Sequence, residues 1–247
     1  MDTATIEHRA TERPAVEVAA VTAYMGAAAF AVAAAWFGLA TKGVTMASQP
    51  VAATGASVET AQHQYFAWFV TTLNQERLYT GIAIVGFLCL AGTVAFVRDL
   101  LGRDRGVVRI AALAVTAGAI LWIVGNVAQL GAHRAVGMLS THAYTTETTS
   151  AIVFTFDTID DAFEVASFAV MGVGLLFLAR AAIRAGDAEQ GWAWHTAILG
   201  IAAIGTVVSY LWPVGDLTDL LLIAIGVLLM PAWLIWSGRR LSRAVAH

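Results

Sequence analysis

Four acidic side chains stand close together at the start of the fourth long apolar stretch of this chain: Asp157, Asp160, Asp161 and Glu164. Helix residues three, four or seven positions apart lie on one face, so this spacing predicts a carboxylate face that continues to Ser167. Ionisable residues in membrane spans are energetically expensive and are functional candidates. We therefore assign Glu164, Asp161 and Asp160 as candidate catalytic residues, which would exchange protons with a lipophilic substrate or relay them across a membrane.

A structural explanation competes with this chemistry. Acidic residues in the first turn of a helix interact favourably with the helix dipole and cap free backbone N–H groups, each by about 0.3 to 1 kcal/mol. If the fourth helix begins near Asp160, dipole and capping effects account for Asp157 and Asp160. For Glu164, which lies one turn further in, we expect a buried polar role.

A polar face on the third apolar stretch matches these carboxylates. Its members recur at helical spacing and are Trp122, Asn126, Gln129 and His133. Amide side chains within a span either hydrogen-bond to a neighbouring helix or bind a ligand. We assign these four residues, with Tyr210 at the end of the fifth stretch, as candidate ligand-binding residues. Together with the carboxylates they would form a polar vestibule at one end of the third and fourth helices.

The pattern argues against a metal or haem site. One histidine with several carboxylates suits Zn, Mn or Fe, and His63 or Glu76 would complete such a set. However, no two histidines stand four residues apart, and the chain has no HExxH motif. A bis-histidine haem needs facing histidines within spans, and only His133 lies near the outer end of one. We predict no metal ligands and leave the cofactor unassigned.

The composition is that of a membrane protein. Of 247 residues, 59% are hydrophobic and 13% are charged, whereas soluble domains carry about 25% charged residues. Six apolar stretches reach the roughly 20 residues that cross a hydrocarbon core of about 30 Å. The single cysteine, Cys89, allows no disulfide framework. The sequence has no phosphate-binding loop, no catalytic serine motif and no feature that predicts nucleic-acid binding.

Charge placement predicts the orientation in the membrane. Lys and Arg concentrate in short segments that alternate with nearly uncharged ones, and such basic segments stay on the cytoplasmic side. We therefore expect a multi-pass plasma-membrane protein with both termini cytoplasmic and the vestibule outside. Eleven of the fourteen basic residues follow this pattern: Arg9, Arg13, Arg98, Arg103, Arg105, Arg109, Arg180, Arg184, Arg239, Arg240 and Arg243.

The elements that would position these residues form an all-α bundle of six transmembrane helices. We expect a disordered tail at residues 1–15, one domain at 16–240 and a second tail at 241–247. The spans are predicted at 16–40, 78–97, 107–130, 160–182, 192–212 and 217–236. The aromatic segment 62–70 in the first outer loop predicts an interfacial helix, and residues 131–158 form the second outer loop. Trp192, Trp194 and His195 are interpreted as interface anchors.

The last helix ends in Pro-Ala-Trp-Leu-Ile-Trp-Ser-Gly-Arg-Arg, from Pro231 to Arg240, and a long outer loop precedes the second span. In this layout the chain resembles small six-span bacterial membrane protein families of unknown function. The resemblance implies a six-helix membrane fold and no particular activity. The bias toward Ala, Gly, Val and Arg is also similar to that of actinobacterial proteins.

Three functions fit these observations. The first is a non-catalytic membrane component, either an accessory subunit or a binder of a lipophilic small molecule, with the bilayer and other membrane subunits as partners. The second is a membrane-embedded enzyme that uses carboxylate acid/base chemistry, with or without a metal, on a lipid or isoprenoid-like substrate. The third is a proton- or cation-coupled transporter. The absence of internal repeats and of Pro or Gly pairs that break a span argues against the third.

Overall fold

The computed structural model describes residues 3–41, 57–102, 106–139, 146–186, 189–212 and 216–246. It is 95% helical and has no strand in these ranges, which confirms the all-α fold. Its helices are α1 (Thr3–Thr41), α2 (Val58–Leu100), α3 (Gly106–Leu139), α4 (Thr146–Arg184), α5 (Gln190–Leu211), α6 (Leu217–Ala224) and α7 (Met230–Ala246), with a π-helical turn at Ile225–Leu229 between the last two.

Six candidate spans are present within the described ranges, each long and apolar enough to cross a membrane. The sixth is formed jointly by α6, the π-helical turn and α7. Helices adjacent in sequence pack against each other, α1 also packs against α7, and α2 reaches across to α4. The chain is therefore a multi-pass membrane protein in which consecutive spans pack against each other.

Two helices begin earlier than the sequence indicates. Helix α1 starts at Thr3, so the segment that we expected to be a disordered tail is helical. The predicted interfacial segment 62–70 is also helical, but it belongs to α2 and is continuous with the second span. No Gly or Pro separates Ser57 from Gly81, and the Ser57 side chain caps the helix by accepting a hydrogen bond from the Thr60 N–H at 3.2 Å.

The third and fourth helices are longer than predicted, and this changes the interpretation of the four acidic residues of the fourth helix. Helix α3 continues to Leu139 and α4 begins at Thr146, so most of the predicted outer loop 131–158 is helical. Packing of the two helices continues beyond the predicted spans, since Val153 and His133 are fully buried. Asp157 and Asp160 therefore lie in the body of α4, and their interpretation as first-turn dipole and capping residues is wrong.

Glycines bring α3 very close to α4. A Cβ atom on Gly118 would stand 2.7 Å from the Met171 Cβ and 2.8 Å from the Ser167 backbone oxygen. A Cβ on Gly125 would stand 2.6 Å from the Phe163 Cβ. Small residues allow membrane helices to pack at short distance, where van der Waals contacts and interhelical hydrogen bonds are strongest. This close contact places the polar face of α3 against the acidic face of α4.

The sixth span is irregular at its centre. The π-helical turn Ile225–Leu229 directly precedes α7, in which Pro231 has no N–H to donate and would crowd the preceding turn of a regular α-helix. A wider π-turn relieves this crowding. This break was not predicted, because no adjacent pair of Pro or Gly residues marks it in the sequence.

We expect Gly118→Ala to lower the free energy of unfolding by about 1 to 3 kcal/mol, because the added methyl group overlaps the α4 backbone. Gly131→Ala on the same helix is the matched control, since a Cβ there meets no atom within 4 Å. That variant should be neutral or gain up to about 1 kcal/mol from helix propensity. Denaturation of the purified protein in mild detergent measures both. Equal stability of the two variants would contradict the close contact.

Candidate functional site

Glu164 lies at the centre of a polar network that joins three helices. The Trp122 Nε1–H of α3 donates a hydrogen bond to Glu164 Oε1 at 2.9 Å. The Tyr210 hydroxyl of α5 donates to Glu164 Oε2 at 3.0 Å. Both carboxylate oxygens are thus engaged by aromatic donors from neighbouring helices. The predicted association of Trp122 and Tyr210 with this carboxylate is present in the structure.

The orientation of the Trp122 ring is fixed by α1 and α2. Its indole stacks on Phe87 with ring centroids 4.3 Å apart and planes inclined by 19°. Phe30 of α1 packs edge-on against Phe87 at 4.9 Å. Neither phenylalanine was predicted to belong to the site, because a single aromatic residue in an apolar span looks like any other core residue. Through this aromatic stack, α1 and α2 also help to fix the position of the Trp122 donor to Glu164.

Asp157 is the centre of a neighbouring hydrogen-bond group, about two helical turns from Glu164. The Gln129 Nε2–H donates to Asp157 Oδ1 at 3.0 Å, and His133 Nε2 lies 2.8 Å from the same oxygen. The His133 side chain is completely buried, and that of Asp157 is 17% exposed. All three residues were singled out by their helical spacing. Their contact is an interhelical hydrogen-bond group of the kind that stabilises membrane bundles.

The remaining polar residues of this face have structural contacts. Asn126 is buried and donates through Nδ2 to the Trp122 backbone oxygen of its own helix at 3.1 Å. Ser167 is buried and donates from Oγ to the Gly118 backbone oxygen at 2.8 Å, which links α4 to α3 at the close contact. The face predicted to run from Asp157 to Ser167 is thus turned toward α3.

The three candidate catalytic carboxylates have different surroundings. Asp160 is buried against α3, where a Cβ on Gly125 would stand 2.8 Å from its Oδ1. Glu164 is engaged on both oxygens. Asp161 is exposed on the same stretch of α4. Of the three, Asp161 is the most exposed to a molecule that approaches from outside the bundle.

A second polar network, at the opposite end of α5, was not predicted. The Trp192 Nε1–H donates to Ser237 Oγ at 3.0 Å, and the Trp233 Nε1–H donates to Thr196 Oγ1 at 2.9 Å. His195 Nε2 lies 2.9 Å from the backbone oxygen of Leu229 in the π-helical turn. Trp192 is completely buried, so its interpretation as an interface anchor is wrong. Trp194 is 60% exposed, as an interface residue should be.

No group of three or more His, Cys, Asp or Glu side chains is arranged to hold a metal ion within the part of the chain that the structure describes. The side chains of His63 and Glu76, which the sequence suggested as additional ligands, lie outside the described residues. Comparison with protein-family models, curated proteins and solved structures found no match to this chain. The site must therefore be interpreted from its own geometry.

Removing the Tyr210 hydroxyl tests the network directly. We expect Tyr210→Phe to lower the free energy of unfolding by about 1 to 2 kcal/mol, because Glu164 Oε2 loses a donor in a partly buried position. Tyr24→Phe is the matched control, since Tyr24 is 40% exposed. Thermal unfolding in detergent compares the two. A Tyr210→Phe protein as stable as Tyr24→Phe would mean that the bond contributes nothing.

Proposed function

We propose that this chain is a non-catalytic integral membrane component that binds a lipophilic molecule or a membrane partner. The binding surface lies at the end of the bundle that carries Asp157, Asp161 and Glu164, here called the acidic end. The main support is that both oxygens of Glu164 accept hydrogen bonds, one from Trp122 and one from Tyr210. A carboxylate held in this way fixes α3, α4 and α5 relative to one another. It supports a scaffold role better than a role as a mobile acid or base.

The exposed surface beside this scaffold supports binding of a cationic group. Asp161 is exposed and Asp157 is partly exposed, so both can contact a molecule at the surface. The Tyr210 hydroxyl donates to Glu164, which lies about one helical turn along α4 from Asp161. Carboxylates next to an aromatic ring attract an ammonium or guanidinium group. We therefore favour a lipophilic amine, or a basic side chain of a partner subunit.

The setting that we propose is a bacterial plasma membrane with both termini cytoplasmic. The support is the placement of basic residues: Arg98, Arg109 and Arg184 lie at helix ends on the side opposite to Glu164. Basic residues close to the ends of spans are retained on the cytoplasmic side. The acidic end would then face outward.

A proton- or cation-coupled transporter is the second candidate, and the sixth span favours it. A π-helical turn in the middle of a span is frequently a functional feature, and here its Leu229 carbonyl is bonded to His195. An intramembrane carboxyl group and an intramembrane histidine are residue types that relay protons. The enzyme hypothesis stays a prediction, in which Asp161 is the acid or base that could contact a substrate.

Mass spectrometry of molecules that copurify in mild detergent tests the proposal. We expect a bound lipophilic cation or a basic partner in the wild type and in Asp99→Asn, and at least about a tenfold loss in Asp161→Asn. Asp99 is the matched control because it is also exposed but lies at the other end of the bundle from Asp161, near the end of α2. There it pairs with Arg98 at 2.7 Å. Copurification that is unchanged in Asp161→Asn would contradict the binding surface.

Proton flux into liposomes separates the transporter from the scaffold. If Glu164 is a structural acceptor, Glu164→Gln should retain the fold with reduced stability, and neither it nor the wild type should conduct protons above empty liposomes. A flux that the wild type supports and that both Glu164→Gln and His195→Asn abolish would establish the transporter instead. Turnover of an added lipid that requires Asp161 would establish the enzyme.

A further inference from the structure

Two apolar grooves flank Arg180 near the end of α4 that is remote from Glu164. One groove, of about 390 Å³, lies between α4 and α5 and is lined by Leu176, Ile183 and Ala197. The other, of about 760 Å³, lies between α3 and α4 and is lined by Val107, Val108 and Phe177. Arg180 and Arg184 line both grooves. Two cationic groups one helical turn apart thus stand between two apolar surfaces.

These two arginines differ from Arg98 and Arg243 at the same end of the bundle. Arg98 pairs with Asp99 at 2.7 Å, and Arg243 pairs with Glu189 at 2.7 Å. Among the described residues, no carboxylate pairs with Arg180 or Arg184, and both are exposed. An exposed arginine at the edge of a membrane span attracts an anion.

The position of the pair in the membrane indicates which anion. Arg184 is the last residue of the fourth candidate span, and Gly106, at the rim of the larger groove, is the first residue of the third. The phosphate layer of a bilayer lies at this level. The surrounding surface is apolar, with Val107, Phe177 and Ile183 at 52%, 44% and 40% exposure. A ligand that fits this site carries a negative charge at the interface and hydrocarbon chains below it.

We propose that Arg180, Arg184 and the two grooves form a binding site for an anionic phospholipid. The lipid phosphate lies between the two guanidinium groups, which donate charge-assisted hydrogen bonds to its oxygens. One acyl chain packs against Phe177 and Val107, and the other packs against Leu176 and Ile183. Basic pockets between membrane helices select such headgroups, because zwitterionic lipids carry no net charge. The site is separate from the acidic end and does not depend on the function proposed there.

Native mass spectrometry of the full chain in mild detergent tests the site, with phosphatidylglycerol and phosphatidylcholine of identical acyl chains as probes. We expect stoichiometric binding of phosphatidylglycerol and weak binding of phosphatidylcholine. The double variant Arg180→Gln with Arg184→Gln should lose phosphatidylglycerol binding by about tenfold or more. Arg180→Lys, which keeps the charge, should retain most of it and remains informative if the double variant does not fold. Arg239→Gln is the matched control, since this exposed arginine at the same end lines neither groove.

Three results would overturn the proposal. Equal binding of the two lipids would mean that the grooves hold acyl chains without recognising the headgroup. An equal loss in Arg239→Gln would mean that net charge, and not this site, attracts the lipid. A dimer mass without bound lipid, which Arg180→Gln and Arg184→Gln convert to a monomer, would mean that a second copy of the chain covers the grooves.

Discussion

The close contact between α3 and α4 is the constraint on which the rest of the structure depends. At Gly118 and Gly125 there is no room for a side chain between the helices. This short separation lets Ser167 reach the Gly118 carbonyl oxygen and lets Trp122 reach Glu164. With larger residues at these positions the donors of α3 would stand too far from the acids of α4. In a bilayer those acids would then lose their partners on α3, which is costly where no water can replace them.

The length of α4 explains why the two ends of the protein differ chemically. At 1.5 Å per residue, about 30 Å of helix separates Glu164 from Arg184, which equals the thickness of the hydrocarbon core. The two residues can therefore lie at opposite edges of the same bilayer. Asp157 and its partner His133 then lie beyond the core, in the headgroup layer. Here the partly exposed carboxylate of Asp157 is tolerated, whereas Glu164 at the boundary has both oxygens bonded.

Sequence periodicity identified most of the polar network but not its geometry. Trp122, Gln129 and His133 were recognisable because helical spacing alone puts them on one face. The predicted start of α4 was wrong, because nothing in the segment before Asp157 marks it as loop or helix without its packing against α3. Because α4 starts earlier than predicted, the interpretation of Asp157 and Asp160 as capping residues was also wrong. The Phe87–Trp122 stack and the Trp192–Ser237 bond were missed because each joins side chains on two different helices, and no local pattern specifies which side chains meet.

Helix α5 is the element that connects the two polar networks. Tyr210 ties one end of it to Glu164, and at the other end His195 and Trp192 tie it to the π-helical turn and to α7. Between them, Gly172 and Gly200 bring α4 and α5 so close that a Cβ on either would lie 3.0 Å from the other's backbone oxygen. Helix α5 is therefore held at both ends and at its middle. If a ligand drew Tyr210 away from Glu164, one of these three attachments would be released and two would remain, so the proposed binder would keep its fold. A transporter would instead need the His195 attachment to the π-helical turn to open as well.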